Sequence, residues 1–126
     1  MPNVKIAIID DEVYIRALLE QTLEDLEDEP EILMATNGVE GLALIESERP
    51  QLVFLDVMMP LMNGYDVCAA ARKNPELAAT TIVMLTAKGQ ESDRLHGLKM
   101  GANNFVTKPF DPDEILDLAR KILQLP

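Results

Sequence analysis

The chain has 126 residues, 22 acidic against 11 basic, and a formal net charge of −11, a balance that argues against nucleic acid or an anionic membrane as a direct partner. Its composition, 48% hydrophobic and 26% charged, is that of one globular domain able to bury a core without disulfides or metals holding it together. The single Cys68 excludes an internal disulfide and suits a reducing compartment. The first residues lack the form of a signal peptide and no apolar stretch approaches a membrane span, so the chain reads as cytoplasmic.

Val4 to Ile9 reads as a first strand, continuous and apolar as in strands covered on both faces. It ends in Asp10-Asp11-Glu12. From Val13 to about Leu26 the period becomes helical, with Ile15, Leu18, Leu19, Thr22 and Leu26 inward, until Asp28-Glu29-Pro30 breaks it. Glu31 to Ala35 is a shorter, less apolar strand, expected towards an edge. Asn37 with Glu40 predicts a helix start with a capping box; Val39, Leu42, Ala43 and Ile45 form the buried face, and Pro50 closes the helix.

Leu52-Val53-Phe54-Leu55-Asp56 follows, too short for a helix and long enough for a buried strand that stops at a carboxylate. Asn63 and Gly64 open a third helix running to about Lys73, with Val67, Cys68 and Ala71 inward. A polar connection then reaches Thr81, and Ile82 to Leu85 is a fully apolar strand ending at Thr86. Glu91 to about Met100 is a fourth helix, weakened by Gly97 at about 1 kcal/mol against Ala and capped by Gly101. Asn104 to Thr107 is a short strand ending at Lys108-Pro109, and Pro112 starts a final amphipathic helix. Five strand–helix units predict one doubly wound α/β domain over 1–126, with a parallel sheet, right-handed crossovers and helices on both faces.

In such a sheet the strand ends share one edge, where open α/β folds place their chemistry. Asp10-Asp11, Asp56, Thr86 and Lys108 therefore meet: three carboxylates, a hydroxyl and an ammonium. Crowded carboxylates repel one another unless a cation offsets them. Lys108 neutralises one charge, and a few carboxylates plus water is how Mg²⁺ is held. With a metal in place Asp56 is a plausible nucleophile towards phosphorus, and Lys108 and Thr86 would donate to the phosphoryl oxygens.

The joint pattern Ile8-Ile9-Asp10-Asp11-Glu12, Leu55-Asp56-Val57-Met58-Met59-Pro60-Leu61-Met62-Asn63-Gly64, Leu85-Thr86-Ala87, Gly101-Ala102 and Lys108-Pro109-Phe110 resembles the CheY-like receiver domain of two-component response regulators, over essentially the whole chain. The resemblance implies a sheet order 2-1-3-4-5 and a phosphorylation switch rather than an enzyme with a separate substrate. Asp56 would be the phospho-acceptor and Asp11 a direct Mg²⁺ ligand. Asp10 would act through water, and the Met58 backbone carbonyl would complete the protein's share of ligands. Lys108, before a cis Pro109, would pair with the carboxylate and then the phosphoryl group. Thr86 would be drawn to that group and Phe105 would turn inward. Phe105 stands where the family often carries Tyr, so no phenol is available to a partner. The implied donor is a sensor histidine kinase or histidine phosphotransfer protein, and the implied output surface is the fourth helix, fifth strand and fifth helix. Met58 lies beside the path of the attacking water, which leaves the lifetime of the phosphorylated form open. Thr80-Thr81 replaces a common Pro.

Simpler readings exist for each residue alone. Asp10 and Asp11 can cap the first helix, Asp56 can be a loop acid, Thr86 a strand-end residue and Lys108 a solvated charge; their coincidence at four strand ends outweighs these. His96 has no second His for a metal site, and Cys68 reads as core. A haloacid dehalogenase-type phosphatase needs its nucleophile at the first strand with an Asp two residues on, where this chain has Glu12. A flavodoxin needs a phosphate loop that Asp10-Asp11-Glu12 would repel. A pseudo-receiver that only binds partners does not explain the complete acidic set. The kinase, the output, the oligomeric state, and whether the chain stands alone or forms part of a longer protein are open at this level.

Overall fold

Strands with unbroken apolar runs can be buried only between two layers of helices, and the computed structural model shows that arrangement. The structure describes residues 4–27, 29–87 and 91–124, the side chains of 91–94 excepted; Asp28, in the expected helix break, lies outside the described residues. The elements are β1 (Lys5–Ile9), α1 (Val13–Leu23), β2 (Glu31–Ala35), α2 (Gly38–Glu48), β3 (Leu52–Asp56), α3 (Gly64–Arg72), β4 (Thr81–Ala87), α4 (Glu91–Met100), β5 (Asn104–Lys108) and α5 (Pro112–Leu123). A short 3₁₀ turn, Pro75–Leu77, interrupts the connection to β4. The sheet is parallel throughout in the order β2-β1-β3-β4-β5. Among the described residues no helix is long and apolar enough to cross a membrane.

Alternation along the strands splits the core in two. Ala7, Ile9, Val53, Leu55 and Met84 face α2 and α3, with Val67, Cys68 and Ala71 opposite. Ile6, Ile8, Phe54, Val83 and Leu85 face α1 and α5, with Ile15, Leu19, Ile115 and Ala119 opposite. Every residue of β3 is buried, so the strand that ends in Asp56 is central. β2, at an edge, is mostly half-buried or exposed, as its weaker apolar run predicts.

The structure differs from the sequence reading in three places. α1 ends at Leu23 rather than near Leu26. The Asp25 N–H bonds to Thr22 O and the Leu26 N–H to Leu23 O, so the chain tightens into three-residue turns that still bring Leu26 inside. On α2 the buried residues are Gly38, Gly41 and Ile45, while Val39 and Ala43 are exposed. The helix lies too close to the sheet for side chains: a Cβ on Gly41 would stand 2.6 Å from Ile9 Cγ2, and one on Gly38 would run into Met62 O. Finally, the polar connection before β4 carries Leu77, fully buried in the 3₁₀ turn. Asn37 and Asn63 stand at helix starts as expected: Asn37 accepts from the Glu40 N–H and Asn63 from the Asp66 N–H. Glu40 reaches back to Thr36 N–H and Oγ rather than to Asn37.

Candidate functional site

The carboxyl ends of β1, β3 and β5 bring Asp10, Asp56 and Lys108 into contact. Lys108 Nζ is 2.8 Å from Asp10 Oδ2, 3.3 Å from Asp56 Oδ1 and 3.2 Å from Glu12 Oε1. Asp10 is completely buried and Asp56 is 5% exposed, whereas Asp11 and Glu12 are exposed. One carboxylate oxygen from each of Asp10, Asp11, Glu12 and Asp56 lies within 4.8 Å of the others. They stand beside an open cavity of about 610 Å³, the size of a small-molecule cleft, whose wall includes Asp56, Lys108, Tyr14, Met58 and Tyr65.

Local chemistry fixes each acid. Asp10 Oδ1 accepts the Glu12 N–H at 2.8 Å, and Arg16 donates to the Asp10 carbonyl at 2.8 Å. Asp10 Oδ2 has no aligned hydrogen bond among the described residues, so the Lys108 ion pair is its compensation. Asp56 Oδ1 receives both Lys108 and, at 3.4 Å, the Met58 N–H; neither contact falls on Oδ2. The loop behind β3 returns tightly: Gly64 N–H bonds to Val57 O, and a Cβ on Gly64 would stand 2.3 Å from the Asp56 carbonyl oxygen. Glycine at 64 is therefore a packing requirement of the site. The Lys108-Pro109 bond is cis, as the resemblance implied.

Burial and crowding set the protonation. Desolvation, reinforced by the Asp10 charge and only partly offset by Lys108, raises the Asp56 carboxyl to about 7. Desolvation also raises Asp10 above its ordinary value, against the opposing pull of Lys108. Burial alone would lower Lys108, but its close ion pair with Asp10 and the charge of Asp56 carry it above its ordinary value. The carboxylates are thus short of positive charge even with Lys108 in place. A hard divalent cation fits this oxygen-only donor set and that deficit.

Asp10, Asp11, Asp56 and Lys108 come together as the strand-end reading requires, and Thr86 lies on β4 between Leu85 and Ala87, two residues of the cavity wall. It is buried near the end of β4. Phe105 is half-buried on β5, its ring against α4: a Cβ on Gly97 would stand 2.4 Å from Phe105 Cζ. Asp10 and Asp11 do not cap α1, because Glu12 is its N-cap and makes no side-chain cap bond. Glu12 and Tyr65 were not singled out from the sequence. The available signal at position 12 was its residue type, since Glu is not a favoured N-cap. His96 meets Tyr65 edge-on, ring centroids 4.3 Å apart, and Cys68 is buried core with its thiol raised by burial.

A family model describing the response regulator receiver domain matches residues 6–120. Over 120 residues the chain is 42% identical to "Probable transcriptional regulator ycf27" of Cyanophora paradoxa, covering 95% of this chain and 48% of that one. It is 39% identical over 122 residues to the alkaline phosphatase synthesis transcriptional regulatory protein PhoP of Bacillus subtilis (strain 168), covering 97% and 49%. The chain thus spans about half the length of these curated relatives. The chemotaxis response regulator CheY4 of Vibrio cholerae superposes with a TM-score of 0.86 at 30% identity, over 96% of this chain and 99% of that one. With the sheet order, the acidic cluster and Lys108 already in place, the chain belongs to the response regulator receiver domains of two-component systems.

Proposed function

We propose that the chain is a phosphorylation-operated switch in which Asp56 accepts a phosphoryl group from a phosphohistidine on a sensor histidine kinase or histidine phosphotransfer protein, with Mg²⁺ as cofactor. The observation that carries this reading is the meeting of Asp10 and Asp56 on the Lys108 ammonium, with Asp11 within 4.8 Å of both carboxylates. Asp11, Asp56 and the Met58 backbone carbonyl would hold the ion directly and Asp10 through water. Bound there, Mg²⁺ would neutralise charge on the carboxylates and the incoming phosphoryl group.

The remaining work belongs to the chain's own residues. Ionised Asp56 attacks phosphorus in line through Oδ2, the oxygen that carries neither the Lys108 nor the Met58 contact. The phosphorus–nitrogen bond breaks and its electron pair stays on the imidazole. Lys108 follows the charge onto the phosphoryl oxygens, and Thr86 closes from the end of β4 while Phe105 turns inward. The face of α4, β5 and α5 then carries the change outward; α4 exposes two large apolar side chains, Leu95 at 66% and Leu98 at 48%. Charge added at a site of this kind is a local electrostatic event with a distant readout.

An apolar rim suits a protein donor. Tyr14 and Met58 on the cavity wall are 72% and 77% exposed, and Val13, next to Tyr14, and Leu61, three residues after Met58, are 72% and 80% exposed. Large apolar side chains exposed beside a polar cleft suit an interaction site. Residues 1–126 work as one cytoplasmic receiver unit that assists its own phosphoryl transfer and hydrolysis and acts on an output domain or partner. It contacts neither nucleic acid nor membrane itself.

The test is incubation with a small phosphodonor and Mg²⁺, followed by intact mass. Wild type should gain one phosphoryl group and Asp56→Asn none. An unlabelled wild type, or full labelling of Asp56→Asn, overturns the reading.

A further inference from the structure

An ammonium has three protons to donate, and Lys108 has three carboxylates around it: Asp10 at 2.8 Å, Glu12 at 3.2 Å and Asp56 at 3.3 Å. A phosphoryl group arriving on Asp56 takes the place that the esterified carboxylate gives up, and its further oxygens compete with Asp10 and Glu12 for the remaining protons of Lys108. Asp10 has no exposed surface, and its release would leave a buried carboxylate without a counter-ion, the costliest outcome. Asp56 is the residue being modified. The Glu12 side chain is 58% exposed, so water replaces the lost contact at little cost. Glu12 is also unusual as the N-cap of α1. Its side chain makes no bond to the helix N-terminus and is spent instead on a residue 96 positions away.

We infer that Glu12 is a positioning residue that holds Lys108 in the resting state and releases it when the phosphoryl group arrives. The inference rests on the phosphoacceptor reading above. It makes Glu12 a competitor of the phosphoryl group for one ammonium, so the contact favours the unmodified form. Losing that contact strengthens binding of a phosphoryl mimic and lengthens the life of the phosphorylated form.

Three variants separate this from a simple charge effect. Glu12→Ala removes contact and charge, Glu12→Gln removes the charge and keeps an acceptor, and Glu12→Asp keeps the charge but draws the carboxylate back from Lys108 by one methylene. The readouts are calorimetric affinity for beryllofluoride with Mg²⁺, affinity for Mg²⁺ alone, and decay of the phosphorylated species by intact mass, with thermal melts showing that each variant is folded. The expected result is about two- to fivefold tighter beryllofluoride binding and slower decay in both Ala and Asp, the size of one exposed ion pair, with Mg²⁺ affinity within twofold of wild type. Glu12→Asp behaving as wild type while Ala and Gln both tighten would assign the effect to net charge and overturn the inference. Loss of Mg²⁺ affinity in Ala and Asp would make Glu12 a metal ligand and also overturn it. Absence of beryllofluoride binding by wild type overturns the phosphoacceptor reading and this inference together, whereas tight wild-type binding unaltered in every variant overturns this inference alone.

Discussion

Lys108 Nζ stands 2.8 Å from Asp10 Oδ2, joining the last strand of the sheet to the first through a carboxylate with no exposed surface. The pair is both a fastening between β1 and β5 and the electrostatic centre of the site. Removing one partner of a buried pair strands the other, which is more damaging than losing the contact itself.

Lys108→Ala should therefore destabilise the protein by about 3 kcal/mol at pH 8, and by less at pH 5. Without the ammonium the buried Asp10 carboxyl rises further, and an acid raised by folding favours the folded state only while it can hold its proton. Urea midpoints at the two pH values measure this. An equal loss at both would mean that Asp10 is not the group left stranded.

Asp56 predicts the pH dependence of the metal-free protein. Its carboxyl is raised from 3.8 to about 7, so between these values the folded state holds a proton that the unfolded chain does not. The Asp56 contribution to stability is then fully present below about pH 4, falls as pH rises towards 7 and is gone above it. Asp56→Asn should flatten the slope and be the more stable form at pH 8 by about 2 kcal/mol, below the full conversion of the shift because Asp10 and Lys108 share the interaction. Mg²⁺ should restore wild-type stability at pH 8 and leave Asp56→Asn less affected. Melting temperatures across pH 4–8, with and without Mg²⁺, decide it.

Phe105 and Gly97 should prove coupled. A methyl group at 97 would stand 2.4 Å from Phe105 Cζ and 2.8 Å from Cε1, so Gly97→Ala must displace the ring, at about 1–3 kcal/mol. That outweighs the gain in helix propensity of about 1 kcal/mol. Paired with Phe105→Leu the same substitution should lose most of its penalty. The check is a double-mutant cycle on unfolding free energy, and additive effects would show that the ring and the helix do not constrain each other.

Arg72 ties α3 to the turn between α4 and β5. Its guanidinium donates to Gly101 O at 2.9 Å, Leu77 O at 2.9 Å, Thr80 O at 2.8 Å and Asn103 Oδ1 at 2.7 Å. A lysine ammonium cannot span that fan of acceptors. Arg72→Lys should cost about 2–3 kcal/mol and raise amide exchange at Gly101 and Ile82, the latter because Asn103 Oδ1 also accepts the Ile82 N–H. Unchanged exchange at these amides would contradict the clamp.

The architecture was legible because its signals are local. Apolar runs of strand length, helical periodicity between them and Asn37, Asn63 and Pro112 at helix starts each act over a few residues, and a parallel βα repeat admits few topologies. The strand-end rule then placed Asp10, Asp56 and Lys108 together without coordinates. The α2 face misled for an equally physical reason. Periodicity locates an apolar stripe, but Gly38 and Gly41 reveal their inward position only when the sheet and the Met62 loop approach them.

Residue types and spacing were thus sufficient for the βα order, the central strand and the acidic edge, since these follow from local propensity and a topology with few alternatives. Only the folded chain decided that three carboxylates share one Lys108 ammonium, that Arg72 gathers four oxygens from separate segments, and that burial lifts Asp56 to about 7. These depend on distances between residues far apart in the chain and on exclusion of water, neither of which is written in any local stretch.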